Sequence, residues 1–220
     1  MSAFKDSDFI SFAKQYKDLS LDNWEFYVKT NEFTIYRQPV LDQGLYCYRS
    51  IGTWADIKAD TLAHVYLDLE FRKQWDKNML GYQLFEGGTH FQMKYPWPLA
   101  HRDYAYVIEK RRVQDDQRQY QVILGQSLPA SVYPKQKGVV RIDDYMQHIC
   151  ITPTEDTKGC RIFMDYFDDP KGNIPKAIIN WAAKTGVPAF IDHLKNACRQ
   201  YERDHGPIMP SDDTHVLYLS

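Results

Sequence analysis

The end of this chain constrains its fold more than any other part. Ile174, Ile178, Trp181, Ala182 and Thr185 recur at helical spacing, and Phe190, Ile191, Leu194, Cys198 and Tyr201 continue the same narrow apolar stripe. Gly186-Val187-Pro188 falls in the middle of it. A proline there removes one ladder hydrogen bond and crowds the preceding turn. The spacing therefore predicts a long amphipathic helix, kinked at Gly186 and Pro188 and stopping near Asp204 before Gly206-Pro207. A helix with a single apolar stripe needs a surface to lie against.

The preceding residues supply one. Phe9, Ile10, Phe12, Ala13, Tyr16 and Leu19 mark an amphipathic helix over 6–19, with Ser7 as a cap. Alternating, β-rich runs follow at 24–29, 33–37 and 45–51, broken by turns at Thr30-Asn31 and Asp42-Gln43-Gly44. Leu62, Val65, Tyr66 and Leu69 form one face of a helix over 56–67, and a short second helix covers 69–76. Strand patterns then run at about 82–86, 89–95, 102–112, 118–126, 137–151 and 159–167, with a proline-containing loop at 127–136 and a hairpin turn at Gly87-Gly88. The order of elements indicates an α+β fold. A curved antiparallel sheet of about nine strands wraps around the long C-terminal helix, and the curl leaves space between them. Residues 1–205 read as one domain, and 206–220 as a tail without periodicity.

Formal net charge is −2 over 220 residues, so no global field draws the chain to nucleic acid. Lys110-Arg111-Arg112, and Lys135 with Lys137, read as solvated sheet ends. Cys47, Cys150, Cys160 and Cys198 show no metal or redox spacing, and no secretory h-region opens the sequence. Reduced thiols in a cytoplasmic protein are expected. No apolar run approaches the 18 residues of a membrane span. The seven histidines lack ligand spacing, and no nucleophile elbow or phosphate loop occurs. Asp168-Asp169 before Pro170 reads as a turn after the last strand, since adjacent carboxylates on a strand face opposite ways. The expectation is a monomer with no catalytic residues, no metal and no cofactor.

Three sets of residues remain as candidates for binding. Arg72 and Asp76, four apart on one helical face, offer a guanidinium fork steadied by a carboxylate, suited to phosphate oxygens. An exposed ion pair of little consequence would look the same in sequence. Phe91, Tyr104 and Tyr145 come from three strands and could cage a quaternary ammonium, or simply pack the core. Tyr66 and Gln147 could add polar contacts beside them. The break at Gly186 and Pro188 suggests the hinge of a lid, with the 127–136 loop as its counterpart.

The runs Phe71-Arg72-Lys73-Gln74-Trp75-Asp76, Lys94-Tyr95-Pro96-Trp97-Pro98, Arg102-Asp103-Tyr104 and Gly138-Val139-Val140-Arg141 stand in a familiar order. So do Ile174-Pro175, Ile179-Asn180-Trp181-Ala182-Ala183-Lys184 and Gly186-Val187-Pro188. Together, from about Trp24 to Tyr201, they resemble the steroidogenic-acute-regulatory-related lipid transfer (START) family. The resemblance implies a helix-grip fold with an internal lipid tunnel, enclosing one phosphatidylcholine that is exchanged through transient contact with membranes. It implies that Arg72 meets the phosphate, Asp76 orients Arg72, Tyr104 and Tyr145 face the choline, and Tyr66 and Gln147 line the same region. Where the family's phosphatidylcholine carriers have a cage tryptophan, this sequence has Phe91, a ring with a weaker quadrupole. Another phospholipid as ligand, or a lipid-sensing module that regulates a protein partner, is the alternative.

Overall fold

A computed structural model describes residues 2–40, 44–172, 174–175, 178–179, 182–208 and 216–219. The expected turn at Asp42-Gln43 and the stripe residue Trp181 lie outside them. Helix α1 spans Asp6–Lys17, and its N-terminus is held by the Asp8 carboxylate, which accepts the Lys5 backbone N–H at 2.8 Å. Ser7 is not the cap, because the helix begins one residue before it. Strands β1 (Glu25–Lys29), β2 (Phe33–Val40) and β3 (Leu45–Trp54) are followed by α2 (Ala59–Leu67) and α3 (Leu69–Trp75). Next come β4 (Met79–Phe85), β5 (Gly88–Met93), β6 (Arg102–Gln114), β7 (Gln119–Ser127), β8 (Val140–Ile142), β9 (Tyr145–Pro153) and β10 (Cys160–Asp168). Helix α4 covers Val187–His205, and β11 Val216–Tyr218.

The expected nine strands become eleven, for two reasons. The run at 137–151 is two strands: β8 pairs parallel to the start of β6, and the chain turns before β9 pairs antiparallel with β7. The tail is not featureless, since β11 pairs parallel with Arg112–Gln114 of β6. The main path of the sheet is β1-β2-β3-β10-β9-β7-β6-β5-β4, antiparallel throughout. The turn between β4 and β5 places Gly87 at φ +86°, a conformation only glycine adopts readily.

Strand alternation assigns the two faces. Ile123, Ile149, Ile151 and Ile162 point inward to α2 and α4, where they pack with Leu62, Val65, Leu194, Ala197 and Cys198. Their neighbours Val122, Leu124, Cys150 and Phe163 point outward, onto Phe9, Phe12 and Ala13 of α1 and Leu217 of β11. Arg112, expected in solvent, is buried on β6 with Asp60 3.6 Å away. The ladder that β6 shares with β7 and β11 carries it under cover.

Candidate functional site

The candidate residues gather at one end of the inner face. Asp68 caps α3 by accepting the Phe71 N–H at 2.9 Å, and Phe71 is buried beneath. One turn later Arg72 donates from Nε to Oδ2 of Asp76 at 2.9 Å. Side-chain exposures of 12% and 3% exclude the alternative of a solvated ion pair. Asp76 is fixed in turn by accepting the Asn78 N–H at 3.0 Å. The Arg72 guanidinium lies over four rings: Phe91 at 5.0 Å, Phe190 at 5.5 Å, Trp75 at 5.7 Å and Tyr66 at 5.9 Å. Such faces stabilise a cation withdrawn from water. The carboxylate engages one of the five guanidinium donors, and the fork retains donors for an anion.

A short polar chain leads away from Arg72. Tyr66 and Tyr145 both donate their hydroxyls to Oε1 of Gln147, the latter at 2.8 Å. Burial raises the pKa of Tyr66, so it stays a donor at neutral pH. Tyr145 then stands at the centre of a group of rings. Its centroid lies 5.3 Å from Tyr104, 5.9 Å from Tyr106 and 6.0 Å from Tyr166, each edge-on. Phe91 pairs across the ladder with Tyr104 and packs in the same buried cluster.

Register explains the gathering. Tyr145 sits opposite Asp168 and Gln147 opposite Tyr166, so alternate residues of β9 and β10 present their polar side chains together on the inner face. Asp168 is therefore more than a turn residue. It ends β10, and its Oδ2 accepts the hydroxyls of Tyr104 at 3.0 Å and Tyr166 at 2.9 Å. The turn belongs to Asp169, whose carboxylate accepts the Lys171 N–H at 2.9 Å. Burial pushes the pKa of Tyr104, Tyr145 and Tyr166 well up, and raises that of Asp168 although both hydroxyls favour its anion. Tyr106, Tyr166, Asp168, Trp75 and Phe190 were not singled out by the sequence as residues of the site. Continuing the alternation Ile162, Met164, Tyr166, Asp168 would have placed two of them on the inner face.

At the kink, Ala182–Gly186 form a π-helical turn and α4 restarts at Val187 with Pro188 in its first turn. The wider turn absorbs the hydrogen bond that Pro188 cannot donate. Beyond it α4 is fastened: Lys195 to Glu32 and Asp56, Arg199 to Asp56, and Glu202 accepting the Thr61 hydroxyl at 2.6 Å. The loop expected as the other half of a lid is tied down too. Arg141 donates to the carbonyls of Tyr133 and Pro134 at 3.1 and 3.2 Å, and the Tyr133 ring stacks on His90 at 4.2 Å. Arg141 and His90 also share Asp103, whose pKa stays below the ordinary value despite opposing burial.

Elsewhere, two open surface depressions of about 320 Å³ each are lined by Thr53, Thr154 and Arg161, and by Trp75, His193 and Arg199. Neither touches the tyrosines. The four cysteines are unpaired. Among the described residues no group of three or more His, Cys, Asp or Glu could hold a metal, and no helix is long and apolar enough to cross a membrane.

An eleven-stranded sheet with this strand order, packed on a C-terminal helix, has counterparts among solved structures. The crystal structure of human STARD10 superposes with a TM-score of 0.74 at 23% identity, covering 93% of this chain and 85% of that one. Human StAR-related lipid transfer protein 5 gives 0.74 at 14% identity, covering 89% and 96%. At such identities the likeness is one of fold. The START domain model matches residues 15–204, and the chain belongs to the START-domain family. Phosphatidylcholine transfer protein of Bos taurus is 40% identical over 188 residues, 82% of this chain and 86% of that protein. The Mus musculus protein of the same name is 41% identical over 189 residues, with the same coverage.

Proposed function

We propose that this chain encloses one phosphatidylcholine between its inner face and α4 and carries it between membranes. The observation that carries the proposal is the placement of Arg72. A buried guanidinium that engages its neighbouring carboxylate through Nε, with four rings around it, is a receptor for a phosphate that gives up its hydration. Asp76 orients the fork, Tyr66 and Gln147 line the path from it, and Phe91, Tyr104 and Tyr145 receive the choline. The START family membership and the phosphatidylcholine transfer proteins at about 40% identity support the same ligand.

Magnitudes divide the labour. Two acyl chains hold about 30 methylenes, and exposing them would cost roughly 24 kcal/mol at about 0.8 kcal/mol each. A desolvated cation–π contact contributes about 2 kcal/mol. The apolar enclosure retains the lipid, and the polar end chooses among head groups. The chain works as a monomer in the cytoplasm, touches membranes transiently and catalyses nothing. The door is the start of the terminal helix at Gly186 and Pro188, since α4 is pinned beyond it and the 127–136 loop is pinned as well. Pro188→Ala should slow transfer between vesicles by about threefold or more as the kink straightens. An unchanged rate removes the hinge. The test of the function is mass spectrometry of lipid that co-purifies with the native protein. One phosphatidylcholine per chain is expected; a sterol, or no lipid, would sink the proposal.

A further inference from the structure

Among the described residues no cation contacts the Asp168 carboxylate, in contrast to the buried Asp76, Asp103 and Asp165. Asp76 holds Arg72, Asp103 holds Arg141 and His90, and Asp165 holds Arg49 at 2.7 Å. Asp168 has two tyrosine hydroxyls, both on Oδ2, and among the described residues its Oδ1 accepts no hydrogen bond. The nearby cation, Arg102, directs its guanidinium to the carbonyls of Ala100, Pro170 and Lys171 and lies 4.3 Å over the Tyr95 ring. A carboxylate set among tyrosines without a cation in contact is costly to ionise. The raised pKa that burial gives Asp168 reflects that cost.

We propose that Asp168 is the counter-charge for the ligand's cationic head group, selecting a lipid with a positively charged amine over one of the same shape without charge. The inference rests on the phospholipid-carrier reading and adds a residue to it. Two features of the geometry bear on it. Tyr104 and Tyr166 both donate their hydroxyls to the carboxylate, and each of their rings packs in a T-shaped contact with Tyr145, the ladder partner of Asp168. A hydroxyl donating to an anion also enriches its own ring, which strengthens the ring face towards a cation. At the other end of the Gln147 chain sits Arg72, so a zwitterion spanning the site would find a positive and a negative anchor in the right order. Arg72 alone would accept any phospholipid, including anionic ones. Asp168 supplies the discrimination.

The test uses full-length protein and two short-chain phospholipids, one with choline and one with its uncharged carbon isostere, 3,3-dimethylbutanol. Aromatic rings alone should favour the cation by about tenfold, and an added carboxylate by about tenfold more. The wild type should therefore prefer the choline lipid by roughly 100-fold. Asp168→Asn keeps an oxygen for both tyrosine hydroxyls and removes only the charge. It should reduce the preference to about tenfold while leaving affinity for the isostere unchanged. Full preference retained by Asp168→Asn would overturn the inference while leaving the carrier reading intact. So would a wild type that prefers choline by tenfold or less, an outcome that needs no variant to fold. Binding of neither lipid by the wild type would overturn the carrier reading and the inference with it.

Discussion

On the outer face of the sheet, Val122, Leu124, Cys150 and Phe163 meet α1 in an apolar layer. On the inner face the same strands present Ile123, Ile149 and Ile162 against α2 and α4, and within three alternations arrive at Gln147, Tyr145, Tyr166 and Asp168. The backbone treats both faces alike, so the difference is written in side chains alone. The outer layer minimises exposed apolar surface. The inner face departs from that rule at the site, where a guanidinium, two carboxylates and several hydroxyls are gathered, and again where Arg112 and Gln121 lie buried beside Asp60. Polar burial of that kind lowers stability unless each group is paired. Outer substitutions should affect folding and spare selectivity, and inner ones should change selectivity whatever they do to folding.

The largest effect is expected outside. Phe163→Ala empties a fully buried position and should cost about 3–5 kcal/mol of stability. Denaturant melts would show it, while the ranking of head groups by lipid-exchange assay stays as in the wild type. A changed ranking would mean that the faces are coupled through the sheet.

Arg72→Gln comes next and touches both properties. It leaves Asp76 buried without its cation, which should cost about 3 kcal/mol and abolish phospholipid uptake. Adding Asp76→Asn should recover most of the melting temperature and none of the uptake. Recovery of uptake by the double variant would show that the phosphate is read elsewhere.

The antiparallel strands were legible from sequence, but Val122 and Ile123, or Phe163 and Ile162, are apolar neighbours, so alternation sets them on opposite faces without saying which face α1 covers. The helices over Leu62–Val65 and Phe190–Tyr201 were legible too. The site was half legible. Arg72 and Asp76 follow from helical spacing, and Phe91, Tyr104 and Tyr145 from a resemblance, but their company depends on register. Tyr166 and Asp168 reach the site because Tyr145 pairs with Asp168 across one ladder, and Tyr106 because β6 pairs with β7 and β7 with β9. No local pattern sets those pairings. Phe190 reaches Arg72 from more than 100 residues away by the docking of α4, which is equally invisible to spacing. The parallel strands β8 and β11 were missed because three residues carry too little alternation to register.

Asp168→Asn isolates the inner end at lower amplitude. Burial raises the folded-state pKa of Asp168 above its unfolded value. Its ionisation therefore weighs against folding, and stability attributable to the protonated form is lost as pH rises through that raised pKa. The lipid-free Asn variant should be more stable than wild type at neutral pH by about 1 kcal/mol, a gain of a few degrees in Tm. The difference should shrink as pH falls below the ordinary carboxylate range, where both side chains are neutral. A lower Tm for the variant at neutral pH would mean that the carboxylate is stabilised by the fold itself rather than reserved for a ligand.

The smallest effect concerns the ring at position 91, which lies between the two anchors. Its face carries the Arg72 guanidinium at 5.0 Å, yet it also packs in one cluster with Tyr104 and Tyr106. An indole has a stronger quadrupole and a larger face. It also needs more room, and a residue only 5% exposed has little to give, so Phe91→Trp should cost about 1 kcal/mol of stability. If the ring shares in holding the choline, the variant should raise the preference for phosphatidylcholine over phosphatidylethanolamine by about two- to threefold in competitive exchange. An unchanged ratio with tighter binding of both lipids would assign Phe91 to Arg72 alone. The choline would then be left to the tyrosines around Tyr145 and to Asp168.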